Sequence, residues 1–342
     1  MILKWTVYIV TLCFLVSCNT SETKNSQTIS KDVKLGYAKR FKVKENSQFV
    51  TLQLLGNKTN NNVTATFILY KNEKPLADKD AYYIKVPVKK VACMSSIYAA
   101  MLMKLKAKQT IVAIDNVDYY TNSFIQEGVK NKSIIQLAKG LQVEIENTLA
   151  LNPDLFMTFG MGNPSEDVDK KLLQAGIPIA ISLDHLEETP LARAEWIKFF
   201  GALYGLDAKA KTIFTSIEKG YQTTLALAQK AKYKPTVLSG SMYQDQWFVP
   251  QGESWMALFL KESQSNYLWA NTTGTGSLTL PFETILEKAQ TAEFWIAPGD
   301  FSSLNEMNNS NPHYAKFEAF KNKKVYSYAL HKGTKGGILF FE

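Results

Sequence analysis

Glu146 and Glu283 recur in the same local setting in the two halves of the chain, and three histidines, His185, His313 and His331, stand far apart. A carboxylate at the head of a helix gains from the helix dipole and can cap free N–H groups, worth about 0.3–1 kcal/mol. That role accounts for one glutamate. Its recurrence predicts two carboxylates on the same side of a two-lobed body, placed to dock onto paired basic residues of a symmetric partner. A metal centre needs three or four converging ligands, and nothing in the sequence pairs His185 with His331, so surface or hydrogen-bonded histidines are expected and no resident metal. No His-Glu-x-x-His, Gly-x-Ser-x-Gly or Gly-x-x-x-x-Gly-Lys-Ser/Thr run is present. Gly160-Met161-Gly162-Asn163-Pro164-Ser165 follows a predicted strand and opens a helix, with Asp184 about twenty residues on, as a dinucleotide fingerprint does. Its third glycine is missing, so a tight turn is expected; Gly274-Thr275-Gly276 reads as a loop.

The one covalent chemistry with a clear signature is at the N-terminus. Leu15-Val16-Ser17-Cys18 ends an uncharged apolar run that starts just behind Lys4. This resembles a bacterial lipoprotein signal, in which Cys18 is lipidated and becomes residue one. The run is short for a membrane span of ~20 residues. Residues 19–35, rich in Ser, Thr, Asn and Lys, read as a flexible tether. The body is therefore expected at the periplasmic face of a bacterial membrane, cell or outer, where a nicotinamide enzyme has little cofactor to use.

A chain of 342 residues with 46% hydrophobic and 12% aromatic side chains is long enough for two well-filled cores. Cys13 lies in the signal and Cys18 takes lipid, which leaves Cys93 and no internal disulfide. The net charge of +8 is carried almost wholly by scattered lysine, with Arg40 and Arg193 the only arginines. Nucleic-acid binders concentrate both residues in patches. A solvated surface near anionic lipid or ligand fits better, and no nucleic-acid partner is expected.

These residues need elements to position them. Residues 36–87 alternate apolar and polar at 41–44, 49–55, 64–70 and 82–86, which predicts a small antiparallel β unit. From residue 88 strands alternate with helices, the pattern of a mostly parallel α/β layer. The clearest unit is a helix over 145–151 stopped at Asn152-Pro153, a strand over 155–159, a helix to Ala175 ended by Gly176, and a strand over 177–182. Thr189 and Pro190 predict a helix start. Asp207 predicts a cap for a helix of roughly 35–40 Å that runs to about Lys232, with Ile213, Phe214, Ile217, Tyr221 and Leu225 on one stripe. Beyond it come strands over 236–239, 247–249, 294–297 and 324–328, with helices over 253–260 and 282–289. The expected divisions are 1–18 signal, 19–35 tether, 36–87 β-rich extension, 88–206 first lobe, 207–232 spanning helix and 233–342 second lobe.

The chain resembles the class III periplasmic substrate-binding proteins of ABC importers, which carry iron–siderophore complexes, haem and vitamin B12. The residues that carry the resemblance are Lys90-Val91-Ala92 with Ser95, Glu146-x-x-x-Ala150-Leu151-x-Pro153-Asp154-Leu155, Gly176-Ile177-Pro178, Pro250-x-x-x-Ser254, Leu280-x-x-Glu283 and Lys321-Asn322-Lys323-Lys324-Val325-Tyr326. The first-named glutamate segment is the most specific. The resemblance implies two Rossmann-like α/β lobes joined by one rigid helix, a chelate held between them, a permease as partner, and Glu146 and Glu283 as the permease-docking pair. Lipoproteins of the Bacteroidetes type similar to this one also carry a β-rich segment before the first lobe. Family members usually close the second lobe with a further helix, whereas this sequence stops at Phe340-Phe341-Glu342, so that lobe is expected to be truncated.

Open parallel sheets bind ligands at the C-terminal ends of their strands. The loops there contain Met94, Ser95, Ser96, Tyr98, Tyr119, Tyr120, Met161, His185, Tyr243, Trp247 and Phe301 as ligand-contact candidates. Aromatic and methionine side chains suit a large planar or apolar chelate. The expectation is a monomeric, non-catalytic carrier with no cofactor, whose cargo, an iron–siderophore complex, haem or a corrinoid, contains iron or cobalt. The rival reading is an extracytoplasmic enzyme with His185 or His331 as acid or base between the lobes.

Overall fold

A computed structural model describes residues 31–56, 62–75, 78–139, 142–160, 167, 170–330 and 332. The alternating N-terminal segment forms one five-stranded sheet in the order Lys31–Val33, Phe41–Glu45, Phe49–Leu55, Val63–Tyr70, Tyr82–Lys85. Alternation sends Phe41 and Val43 into the core and leaves Lys42 in solvent. Two features depart from expectation. The strand Lys31–Val33 lies inside the stretch read as tether and pairs with Val43 to Glu45. The last pair, Val63–Tyr70 with Tyr82–Lys85, is parallel, because the connection over 71–81 is long enough to return the chain to the end where it began.

This sheet does not stand apart from the first lobe. The Phe41 ring lies 4.8 Å from Trp196 and Phe67 lies 6.2 Å from Phe199, centroid to centroid. One continuous core therefore runs from Phe41 through the first lobe to Phe214. Two acidic side chains fix the seam. Glu195 accepts from the backbone N–H groups of Gly36, Tyr37 and Ala38 at 2.9, 2.7 and 2.8 Å, and from Lys198. Glu187 accepts from the N–H groups of Lys39 and Arg40 and from Trp196 Nε1. Five consecutive backbone donors thus end on two carboxylates, the strong class of hydrogen bond. Next to them the Tyr37 hydroxyl donates to Glu218 Oε1 at 2.7 Å.

The first lobe holds a wholly parallel sheet, ordered Ile179–Ser182, Leu155–Phe159, Val91–Cys93, Ile111–Ile114, Ile135–Gln136. The central strand Val91–Cys93 and the edge strand Ile179–Ser182 are both buried along their whole length, as covering crossover helices require. The helix Ile145–Leu151 ends at Asn152 in the left-handed region, φ 45°, and Thr189 Oγ1 accepts from Ala192 N to start the helix Pro190–Glu195. Lys170–Gln174 is the described part of the helix expected before Gly176. The turn from Met161 to Ser165 lies outside the described residues. Gly160 is described, and a Cβ there would sit 2.6 Å from Ile181 Cγ2 and 2.3 Å from Asp167 Oδ2. Close approach explains this glycine without a phosphate.

The spanning helix is Asp207–Ala228, 22 residues, or roughly 33 Å. Leu206 occupies the N-cap position and Asp207 lies in the first turn without a side-chain cap. Ala210 and Phe214 bury into the first core. Tyr221, two turns on, packs on Phe259 of the second lobe at 5.9 Å and donates to Glu262. The second core is separate. It forms around a parallel sheet, ordered Asn266–Tyr267, Thr236–Ser239, Phe294–Ile296, Val325–Tyr326. Against it lies an antiparallel sheet of Ser241–Tyr243, Gln246–Pro250 and Ser277–Pro281. The strand expected over 247–249 belongs to this second sheet. The hairpin turns on Gln244 and Asp245, both at positive φ, a geometry that matches strand twist. Among the described residues no helix is long and apolar enough to cross a membrane.

Candidate functional site

Helices in crossover units run antiparallel to the strands they follow, so helix N-termini and strand C-termini share one end of each lobe. In the first lobe that end carries Ser95 and Ser96 after Cys93, Asp115 after Ile114, Phe159, and Asp184 with His185 after Ser182. In the second it carries Ser239 and Gly240, Ala297, and Tyr328 after Tyr326. A 340 Å³ cavity opens there in the second lobe, bounded by Ser239, Gly240, Ser254, Trp255, Ala297 and Tyr328. A second cavity of 220 Å³ lies between the lobes. Ile97, Met101, Asp184 and Arg193 line it from the first, and Trp255 and Phe259 from the second.

Trp255 walls both cavities. It begins the helix Trp255–Glu262, whose Ser254 hydroxyl accepts from Ala257 N. The Arg193 guanidinium of the first lobe lies 5.1 Å from the Trp255 ring, a cation–π contact worth about 0.5–2 kcal/mol according to its exposure. Arg193 Nη2 also sits 3.7 Å from Asp184 Oδ2. Asp184 Oδ1 in turn accepts from the Ser182 hydroxyl at 2.7 Å and Tyr98 OH at 3.5 Å. The one arginine at this site is therefore neutralised and held.

His185 is half-buried beside the Phe159 ring, 6.2 Å away and perpendicular. Burial holds its imidazole below the ordinary histidine value; Asp184 opposes that and Arg193 reinforces it. Among the described residues no group of three His, Cys, Asp or Glu side chains could hold a metal ion. Asp115 is raised above the ordinary carboxylate range by burial, against the Tyr120 hydroxyl that donates to it at 2.7 Å.

The sequence candidates divide sharply. Ser95, Ser96, Tyr119 and His185 stand at the first-lobe end with accessible surface. Tyr98 and Tyr120 stand there too, but buried and tied to carboxylates. Met94 is buried, its N–H given to Met157 O. Trp247 is not at the cavity wall: it is fully buried, with Trp295, Phe317 and Tyr314 within 6 Å. Phe301 packs on Tyr314, and Tyr243 is 65% exposed at the hairpin tip. Met161 and His331, like Cys18, lie outside the described residues. Glu146 and Glu283 are exposed in the first turns of Ile145–Leu151 and Phe282–Ala289, one per lobe.

Residues 91–329 match the family described as periplasmic binding protein. The chain belongs to the periplasmic binding protein family. Similar curated sequences include two lipoproteins of Methanocaldococcus jannaschii whose activity is uncharacterised. One is 27% identical over 255 residues, covering 71% of this chain but only 60% of that one; the other is 25% identical over 328 residues, covering 90% and 80%. Similar solved structures include the haem-binding protein of Vibrio cholerae (TM-score 0.53, 16% identity, 74% of this chain and 94% of that one). The vitamin B12-binding protein of the same organism is similar too (0.51, 14%, 73% and 89%), as is an ABC transporter substrate-binding protein of Listeria monocytogenes (0.54, 15%, 74% and 94%). These likenesses show a shared fold.

In this periplasmic binding protein the cavity residues that the sequence did not flag include Arg193, Ser239 and Trp255. Arg193 carried a faint signal as one of two arginines in the chain. Trp255 follows the Pro250-x-x-x-Ser254 segment, which marks a helix start at the binding end. A serine that closes a strand, like Ser239, carries none.

Proposed function

We propose that this protein is the solute-binding lipoprotein of an ABC importer, capturing an iron complex, siderophore or haem, between its lobes and delivering it to the membrane permease without catalysis. The observation that carries this is the pair of cavities at the facing binding ends, joined at Trp255, within a two-core fold spanned by one helix. The lipid on Cys18 would hold the monomer at the periplasmic face, and the exposed carboxylates Glu146 and Glu283 would meet the permease. A corrinoid is the second reading, favoured by a larger cavity that has no charged side chain around it among the described residues. The test is to express the full chain in its cell envelope and purify it without chelators. Stoichiometric iron or cobalt measured by mass spectrometry, with the matching visible absorbance, is expected. Metal-free protein from cells grown with those chelates in excess would contradict carriage.

A further inference from the structure

The larger cavity bears on the kind of cargo. Its lining contains no Asp, Glu, Lys, Arg or His among the described residues. An ionised group placed there would meet no counter-charged side chain among the described residues, only hydroxyls and the first N–H groups of the helix that Trp255 begins. The lining is instead aromatic and hydroxylic, with Phe248, Trp255 and Tyr328 beside Ser241, Thr275 and Ser277. Burial raises the Tyr328 phenol above its ordinary value, with Asp300 adding to this, so it is uncharged at neutral pH. Ser239, which closes the central strand Thr236–Ser239, lines this cavity while fully buried, and its hydroxyl has no hydrogen-bond partner among the described residues. A buried hydroxyl left unpaired costs about 1–3 kcal/mol. Trp295 Nε1 donates to Gly240 O at 2.9 Å and fixes the loop after it. Gly240 itself has φ +97°, and a Cβ there would lie 2.0 Å from Phe248 O. These two contacts fix the backbone next to the orphan hydroxyl.

We propose that Ser239 is a ligand-contact and specificity residue, and that the second-lobe cavity receives an uncharged, ring-bearing, hydrogen-bonding part of the cargo, amide or hydroxyl in chemistry. This rests on the chelate-carrier reading above. The ring stacks in the aromatic wall beside Trp255, and the polar group completes the Ser239 hydrogen bond. Arg193, already paired with Asp184 and covered by Trp255, does not act as an anion receptor.

The test compares wild type with Ser239→Ala and the isosteric Ser239→Cys, using two uncharged probes, ferrichrome and cyanocobalamin, and two anionic ones, haemin and a ferric tris-catecholate. Affinity is read by fluorescence titration, and Tm by unfolding without ligand. An uncharged probe is expected to bind best, with its affinity weakened about tenfold in Ser239→Ala and less in Ser239→Cys. The ligand-free Tm of Ser239→Ala should equal or exceed that of wild type, since an unpaired buried hydroxyl has been removed. Trp247→Phe is the control: it removes Nε1, the other buried donor of this core without a partner among the described residues, and is expected to leave binding unchanged. Preferential binding of an anionic probe, or wild-type affinity in Ser239→Ala, overturns this inference and leaves the carrier reading standing. Failure of all four probes overturns the carrier reading, and the inference with it.

Discussion

Replacing Glu146 and Glu283 together by alanine is expected to abolish uptake of the cargo by cells while the purified protein binds it as tightly as wild type. Each carboxylate is exposed in the first turn of a helix whose N-terminus lies at the binding end of its lobe. Neither lines either interlobe or second-lobe cavity. Exposed charges of this kind contribute about 0–1 kcal/mol to folding, so the double variant folds normally. At an interface the same charges steer and orient a partner, and losing both removes the match to paired basic groups. Each single replacement should reduce uptake in part. The measurement is radiolabelled or metal-traced uptake in cells beside titration of the isolated protein. Lost affinity would assign the glutamates to the ligand, and unimpaired uptake would place docking elsewhere.

Glu195→Ala lowers stability by about 3–5 kcal/mol, the scale on which removing one partner of a buried charge network acts. The side chain is fully buried and collects three backbone N–H groups from residues 36–38 together with the Lys198 ammonium. Its removal orphans those donors at the seam between the N-terminal sheet and the first lobe. Glu195→Gln keeps one acceptor oxygen and should cost less. The pH dependence has a definite sign. Burial, the largest influence, pushes the Glu195 carboxyl up, but the bonds from Gly36, Lys198, Ala38 and Tyr37 outweigh it and hold it below the ordinary glutamate value. A depressed carboxyl contributes stability that is present above its unfolded value, about 4.3, and is lost as pH falls through its folded value. Glu187 runs the other way: burial raises it, against its hydrogen bonds and Arg40, so folding favours its protonated form. The difference in unfolding free energy between wild type and Glu195→Ala should therefore shrink below about pH 4. A difference that stays constant down to pH 2 would contradict the clamp.

The legible parts of the fold were those with local punctuation. Helices over 145–151 and 282–289 stand at the bounds their sequence predicts, because Asn152-Pro153 and Pro281 stop and start the chain. The Gln244-Asp245 hairpin was not legible, since neither residue announces positive φ as glycine does. Nor was the seam between the N-terminal sheet and the first lobe, which depends on glutamates about 150 residues from the backbone they hold. The site was legible as a region. Strand ends and helix starts place it, and the glutamate pair could be read from its repetition. Which aromatic faces ligand was not legible: Trp247 is enclosed while Trp255, eight residues on, walls both cavities. Here sheet packs on sheet and helix, so both faces of a strand are apolar and alternation gives no direction.

A chelate that binds between the lobes stabilises the folded protein, and the Tm of the purified protein reads that gain. Haem, a ferric siderophore or cobalamin is added singly, and at free ligand 100 times Kd the one carried stabilises the fold by about 2.7 kcal/mol, several degrees in Tm for a chain of this size. A saturable rise with one of these chelates is predicted. No rise with any of them, at concentrations where their relatives' complexes form, would contradict the account.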